Sequence, residues 1–121
     1  MTLQEREALI REWMGKIVEI GIDRPIGYVH HKGAKTLVYP VNYGYIPGVL
    51  GGDGEELDVY LLGVDHPVEK ATVEIVAAVK REDDEEDKLI GVPPGTRFTP
   101  EEMASMIAFQ EKYYKSKVVT A

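Results

Sequence analysis

The sequence predicts one small, mainly β domain with flanking helices. Short segments rich in Val, Ile, Leu and Tyr alternate with glycine, proline and charged turns, which is typical of several short strands. A helix-capping pattern lies near each end of the chain. The 121 residues, of which 44% are hydrophobic, suffice for one core, so residues 1–121 are predicted to form a single domain.

The two helices are predicted from their N-terminal signals. Thr2 can cap the first helix, and Glu5, three residues later, completes a capping box. Thr99 and Glu102 repeat this pattern around a proline at the first helical position. We expect the second helix to extend to about Lys115.

Six strands are predicted between these helices. Their expected ranges are 16–22, 26–31, 36–39, 57–62, 71–80 and 88–92. Several short strands in a chain of this size suggest a barrel. The pattern by itself predicts only a small, mixed, β-rich domain.

The composition excludes several classes of protein. A formal net charge of -7 argues against a broad nucleic-acid surface, because phosphate backbones are bound mainly by clustered Lys and Arg. The absence of Cys excludes a disulfide scaffold. The first residues lack the basic and apolar regions of a signal peptide, and no run reaches membrane-spanning length. We therefore expect a cytoplasmic protein with no nucleic-acid or membrane partner.

Three carboxylates lie around a glycine-rich turn in the middle of the chain. Asp53, Glu55 and Asp58 can converge there, although no strand or helix period would place all three on one face. Asp58 lies within an apolar run, where an ionised carboxylate needs a cation or several donors. Oxygen-only ligands suit Mg²⁺, Mn²⁺ or Ca²⁺. The alternative is an ordinary hairpin turn in which Asp58 pairs with a lysine or caps local amides.

Four segments of the chain carry a family pattern in a fixed order. They are Ile17-Val-Glu-Ile20 ahead of Pro25, Tyr39-Pro-Val-Asn-Tyr-Gly-Tyr-Ile-Pro47 with Asp53-Gly-Glu-Glu-Leu-Asp-Val59, Lys88-Leu-Ile-Gly-Val-Pro93, and Tyr114-Lys115. Together they resemble the first strand, signature region, lysine-bearing strand and last helix of the family I soluble inorganic pyrophosphatases. The resemblance implies an OB-like five-stranded β-barrel with flanking helices.

The resemblance also implies an activity, its cofactor and its partners. The expected reaction is hydrolysis of inorganic pyrophosphate, or of a related small phosphoanhydride, by water activated with Mg²⁺, or with Mn²⁺ in its place. A homo-oligomer is expected. The implied metal ligands are Glu19, Asp53, Glu55, Asp58, Asp83 and Asp87, the implied substrate-binding residues are Tyr43, Lys88, Tyr114 and Lys115, and the implied catalytic residues are Glu55 and Asp58.

Two of those assignments involve a choice. In the acidic run 82–87, the residues Asp83, Asp84, Glu86 and Asp87 compete for the family's loop aspartates, and we take Asp83 and Asp87. Most members of such a run are ordinarily solvated. Glu55 occupies the position expected to orient or deprotonate the attacking water.

Several positions depart from the family pattern. Glu55 replaces an Asp, Glu56 replaces a Pro, and residues 27–29 replace a Lys-x-Glu pattern. The following hairpin, which carries an Arg in the family, is shortened, and Lys32 or Lys35 is left to take that place. These departures leave two alternatives open: a noncatalytic metal- or phosphate-binding relative, and a hydrolase of another small phosphoanhydride.

Overall fold

Eight strands and two helices make up residues 1–120, the part of the chain that this computed structural model describes. In chain order they are α1 (Leu3–Trp13), β1 (Ile17–Arg24), β2 (Val29–Lys32), β3 (Lys35–Val38), β4 (Asn42–Leu50), β5 (Glu56–Leu61), β6 (Lys70–Arg81), β7 (Lys88–Val92), α2 (Pro100–Glu111) and β8 (Ser116–Thr120). The predicted mainly β fold with flanking helices is confirmed.

Five strands close into a barrel in the order β1-β4-β5-β7-β6, with β6 pairing back onto β1. The β5–β7 pair is parallel, and the other four pairs of the barrel are antiparallel. β8 adds to the outer half of β6, while β2 and β3 form a separate hairpin. Closure removes the open edges that a small sheet would expose. The expected OB-like five-stranded barrel is confirmed.

The long strand β6 pairs with two different partners on one side. Its first half lies opposite β1, with Gly21 facing Lys70 and Ile17 facing Glu74. Its second half lies opposite β8, where Arg81 faces Ser116. This switch lets the chain beyond α2 return to the barrel wall near the end of β6.

The core has two parts, one on each face of the barrel wall. In β5, Val59 and Leu61 belong to the cluster that packs against α1. Tyr60 belongs to the other cluster, which packs against Met103 and Ile107 of α2. Successive strand residues face opposite sides, so Asp58 shares the α2 side with Tyr60. The strand period therefore directs the Asp58 carboxylate away from the α1-side core.

Both helices begin at the predicted capping boxes. Thr2 accepts a hydrogen bond from the Glu5 amide at 3.1 Å, and Thr99 accepts one from the Glu102 amide at 3.1 Å. α2 ends at Glu111, so its predicted extension to about Lys115 is wrong. No helix among residues 1–120 is long and apolar enough to span a membrane.

Two strands were not predicted. β4 contains Gly44 and Pro47, residues that weaken a strand pattern, yet a Cβ at Gly44 would lie 1.8 Å from the carbonyl oxygen of Gly21. Only glycine allows β1 and β4 to approach so closely, and a register irregularity after Tyr45 accommodates the proline. β8 follows α2 directly, where a lysine-rich segment resembles a helix terminus. Residues 116–120 form a strand because they pair with β6.

Candidate active site

A cleft of about 620 Å³ opens beside the α2 side of the barrel. Strands from both halves of the chain, the β2–β3 hairpin and the end of α2 contribute to its walls. The ionisable side chains that line it are Asp23, Arg24, His30, Lys32, Lys35, Tyr43, Tyr45, Asp53, Glu55, Glu56, Asp58, Arg81, Glu86, Lys88, Tyr113 and Tyr114. Carboxylates and cations thus share one space.

The acidic wall is organised around the buried Lys88. Its Nζ donates hydrogen bonds to Asp58 Oδ2 at 2.6 Å and to Glu86 Oε1 at 2.5 Å. Tyr43 donates to the same Asp58 oxygen at 2.8 Å. Burial and the nearby Asp58 charge raise the pKa of Tyr43 well above its ordinary value, so its phenol remains a donor. The hairpin-turn interpretation, in which Asp58 pairs with a lysine, describes this contact.

Asp53 and Glu86 form a second contact on the same wall. Burial, together with the hydrogen bond that the protonated Glu86 carboxyl donates to Asp53, raises the pKa of Glu86 to about 7. Burial opposes ionisation of Asp53 as well, but the hydrogen bonds that its carboxylate accepts from Glu86 and from the Glu55 amide outweigh it and lower the pKa of Asp53. The Glu55 amide donates to Asp53 Oδ1 at 3.0 Å. The turn that precedes β5 and the loop between β6 and β7 therefore meet through their carboxyl groups.

Gly52 allows that meeting at the backbone level. A Cβ at this position would lie 2.1 Å from the carbonyl oxygen of Glu85. The two acidic loops are therefore in main-chain contact, which any larger residue would prevent. This contact brings Asp53 and Glu86 to one wall although they are distant in sequence.

Basic and aromatic side chains also line the cleft. Arg24 from the end of β1 and Lys32 and Lys35 from the β2–β3 hairpin contribute cations. Lys32 Nζ donates to the Tyr114 hydroxyl at 2.7 Å, and the Tyr114 ring lies 3.7 Å from the Arg81 guanidinium carbon. Tyr114 therefore links the hairpin to the end of β6.

The structure brings six of the expected site residues into this cleft and leaves four outside its lining. Those in the lining are Tyr43, Asp53, Glu55, Asp58, Lys88 and Tyr114. Glu19 is exposed on β1, opposite Thr72 of β6. Lys115 is also exposed, and its amide donates to Asp83 Oδ1 at 3.0 Å.

Asp87 is the fourth residue outside the cleft, because an arginine of α1 engages it. Arg6 Nε donates to Asp87 Oδ2 at 3.1 Å, and Arg6 Nη2 donates to Asp87 Oδ1 at 2.8 Å. The Arg81 amide donates to the same Oδ1 at 3.0 Å. Asp87 is thereby occupied in joining α1 to the loop. Glu86, which competed with it for the assignment, reaches the cleft.

The cleft also contains residues that the sequence reasoning missed. They include Asp23, Arg24, Arg81 and Gln110. Asp23 and Arg24 follow the predicted strand 16–22, and their charge at that boundary is the only available signal. Arg81 and Gln110 carry no such signal in the sequence, because nothing local distinguishes them from solvated polar residues.

A closed five-stranded barrel with a cleft lined by both carboxylates and cations defines a class of small β-barrel domains. Within that class, the family model described as inorganic pyrophosphatase matches residues 12–117. The chain belongs to the inorganic pyrophosphatase family. The resemblance seen in the sequence is confirmed.

Individual relatives give the same result. The chain is 30% identical over 119 residues to an inorganic pyrophosphatase of Neisseria meningitidis serogroup A, covering 86% of this chain and 63% of the relative. It is 31% identical over 91 residues to that of Aeropyrum pernix, covering 64% of this chain and 52% of the relative. The chain thus spans between about half and two thirds of the length of these curated relatives.

Solved structures agree on the fold. The crystal structure of an inorganic pyrophosphatase from Neisseria gonorrhoeae superposes with a TM-score of 0.61 at 25% identity, covering 84% of this chain and 75% of that one. The one from Ehrlichia chaffeensis gives a TM-score of 0.65 at 18% identity, covering 88% and 87%. The second likeness concerns the fold alone.

Proposed function

We propose that this chain hydrolyses inorganic pyrophosphate to two phosphates with the help of a divalent cation. The observation that supports this most is a single cleft whose lining combines several carboxylates with lysine, arginine and tyrosine. Carboxylates can hold a cation, and the basic and phenolic groups can contact a substrate that carries several negative charges. Membership of the inorganic pyrophosphatase family supports the same reaction.

The donor set of the acidic wall fits Mg²⁺, with Mn²⁺ as a substitute. Among residues 1–120 no three His, Cys, Asp or Glu side chains converge closely enough to hold a metal ion by themselves. The donors present are nevertheless all oxygens, and Mg²⁺ is ordinarily held by few carboxylates together with water and substrate phosphate. Asp53, Glu55, Asp58 and Glu86 are the residues that would hold it. When bound, the cation would offset phosphate charge and lower the pKa of a water molecule.

Side chains of the cleft would accept the proton and bind the phosphate oxygens during hydrolysis. The oxygen of a water molecule forms a bond to one phosphorus, the bond from that phosphorus to the bridging oxygen breaks, and the Glu55 carboxylate accepts a water proton. Glu55 is exposed in the turn before β5, so its carboxylate is accessible to such a water. Lys88 and Tyr114 would hold oxygens of the other phosphate, which gains charge as it leaves.

The cell compartment and the assembly state belong to the same proposal. We infer a cytoplasmic homo-oligomer, because the Cys-free composition is compatible with a reducing compartment and a chain of 121 residues with a modest core would gain stability from contacts between copies. Sedimentation of the purified chain would measure its assembly state directly. A monomer at micromolar concentration would contradict this part of the proposal.

A phosphate-release assay tests the reaction. The substrates are pyrophosphate, a nucleoside triphosphate and tripolyphosphate, and each is assayed with Mg²⁺, with Mn²⁺ and with a chelator. We expect release from pyrophosphate that the chelator abolishes. Glu55→Gln should lower kcat by about 10²–10⁴-fold, since it removes a proton acceptor. Glu85→Gln is the matched control, because Glu85 is exposed and lies outside the cleft lining.

Three outcomes would contradict the proposal in different ways. A folded chain that releases no phosphate from any of these compounds would reject the enzymatic function. Release confined to the triphosphate or tripolyphosphate would reject pyrophosphate as the substrate. Equal activities of Glu55→Gln and Glu85→Gln would reject the role of Glu55.

A further inference from the structure

Arg24 differs from the other arginine of the cleft in having no acidic partner. Arg81 donates to Glu111 at 2.6 Å and to Asp84 at 2.9 Å, so its charge is balanced within the protein. Within residues 1–120 no carboxylate lies at salt-bridge distance from Arg24, whose Nη1 donates to the neutral Tyr39 hydroxyl at 2.6 Å. A half-buried guanidinium without a counter-ion favours binding of an anion.

Three tyrosine rings surround the Arg24 guanidinium. Its central carbon lies 5.7 Å from the Tyr28 ring centroid, 5.6 Å from that of Tyr39 and 5.7 Å from that of Tyr43. Rings at this distance attract the cation without neutralising it, and they limit where the side chain can move. Arg24 is thus held in the cleft with its charge still available.

A chain of buried hydrogen bonds fixes the partner of Arg24. Tyr39 donates to Gln110 Oε1 at 2.6 Å, and Gln110 Nε2 donates to the Tyr60 hydroxyl at 2.7 Å. Tyr60 in turn donates to Glu111 Oε2 at 2.6 Å. Since an amide has one accepting end and one donating end, Gln110 determines the direction of every proton in this chain. The Tyr39 oxygen is left to accept from Arg24.

The two lysines of the β2–β3 hairpin do not reproduce the planar contact of a guanidinium. Lys32 is bonded to the Tyr114 hydroxyl, and the Lys35 ammonium lies 3.8 Å from the centroid of the Tyr113 ring. An ammonium acts as a point charge, whereas a guanidinium presents a planar set of donors that matches two phosphate oxygens. Arg24 already uses one nitrogen on Tyr39, and its remaining N–H groups are available for a ligand.

We propose that Arg24 binds a phosphate group of the substrate and that Gln110, acting through Tyr39, positions it. The guanidinium that binds the substrate phosphate would then come from the end of β1 rather than from the shortened β2–β3 hairpin. This inference rests on the proposed function and names the residue that recognises the substrate. Arg24 is a binding residue, while Gln110 is a positioning residue that acts through Tyr39.

Calorimetric binding of imidodiphosphate, a pyrophosphate analogue that resists hydrolysis, tests the role of Arg24 in the presence of Mg²⁺. Arg24→Lys keeps the charge and removes the planar donors, so we expect the Kd to rise roughly 10- to 100-fold. Arg97→Lys is the matched control, because Arg97 is 63% exposed and pairs with Glu74 outside the cleft. Its Kd should stay within about twofold of the unmodified value.

A double-mutant cycle tests the role of Gln110. Gln110→Met removes both hydrogen bonds at similar volume and should raise the Kd roughly 3- to 10-fold in the unmodified background. In the Arg24→Lys background the same change should have little further effect, because the positioned group is already altered. Equal effects in both backgrounds would show a structural role only and overturn the positioning role.

The outcomes separate this inference from the proposed function. If the chain binds imidodiphosphate with the expected dependence on Arg24 but hydrolyses nothing, the enzymatic function fails and the Arg24 site stands. If pyrophosphate is hydrolysed while Arg24→Lys leaves both the Kd and the KM unchanged, the Arg24 site is rejected and the function stands. If the unmodified protein does not bind imidodiphosphate in the presence of Mg²⁺, the Arg24 site is rejected directly.

Discussion

Two acidic segments, 51–58 and 82–87, are used differently by the same fold. In segment 51–58 the carboxylates of Asp53, Glu55 and Asp58 all line the cleft. In segment 82–87 only Glu86 does so. The first segment thus provides side chains for the cleft, whereas most of the second stabilises the loop that carries it.

Arginines account for part of this difference. Arg6 holds Asp87 through two hydrogen bonds, and Arg81 holds Asp84 at 2.9 Å. Segment 51–58 has no such arginine contact within residues 1–120, and its one cationic partner is Lys88, on Asp58. Glu86 also contacts Lys88 and lies 3.7 Å from Arg81, yet it remains in the cleft lining. Hydrogen bonding to arginine thus occupies Asp84 and Asp87 outside the cleft lining, while the shared contact with Lys88 leaves Asp58 and Glu86 within it.

The largest expected effect comes from removing the arginine that holds the second segment to α1. Arg6→Met would leave Asp87, whose side chain is 7% exposed, without its charged partner. Loss of one partner of such a pair costs about 3–5 kcal/mol in the free energy of unfolding. Urea unfolding measures this cost. Arg11→Met, an exposed change on the same helix, should cost less than about 1 kcal/mol. Equal costs would show that the segment does not depend on α1.

A matched pair of substitutions compares the two segments in activity. Asp58→Asn removes a charge that contacts Lys88 and Tyr43, and we expect it to lower phosphate release by about 10²–10³-fold. Asp83→Asn, in the exposed part of the second segment, should change the rate less than twofold. Rates per folded molecule, corrected by circular dichroism, make the comparison. A large loss from Asp83→Asn would return that residue to the site.

Low pH should weaken the ion pair between Glu111 and Arg81, the arginine that also holds Asp84 of segment 82–87. Burial alone would raise the pKa of Glu111, but hydrogen bonds from Arg81 and Tyr60 outweigh burial and lower it below the ordinary value of 4.5. The unfolded chain therefore binds this proton at higher pH than the folded chain does. The contribution of Glu111 to stability is present above pH 4.5 and is lost as the pH falls through the lowered pKa. Urea midpoints from pH 7 to pH 3 measure it, and Glu111→Gln should flatten that part of the curve. An unchanged acid slope in this variant would show that Glu111 does not carry the effect.

Much of the fold could be predicted because its local signals agree with its tertiary contacts. Both capping boxes form as their sequences indicate, and β7 has the predicted range. β4 could not be predicted, because Gly44 is required by the approach of Gly21 rather than by any local preference. The prediction extends the helix over residues 112–115 and gives residues 116–120 no element, because the pairing of 116–120 with β6 is not visible in their own sequence.

The site was predictable where a signature fixes the residues and less so where charges are crowded. Asp53, Glu55 and Asp58 lie in the cleft as expected, together with Lys88. In the run 82–87 the prediction takes Asp87 rather than Glu86, but the structure places Glu86 in the cleft. Asp87 is held outside it by Arg6, which is 81 positions away, and no local pattern reveals that contact.

The long-range pairing of β5 with β7 has a kinetic consequence. It joins Val59 to Leu89, so the chain must close a long loop before this contact forms. Arg24 is linked to β5 through the pairs β1–β4 and β4–β5, while Lys88 lies on β7. The residues of the cleft therefore come together only after β7 has paired with β5. During refolding, the helices can form early, but the ability to bind a small anion should return only with this long-range step.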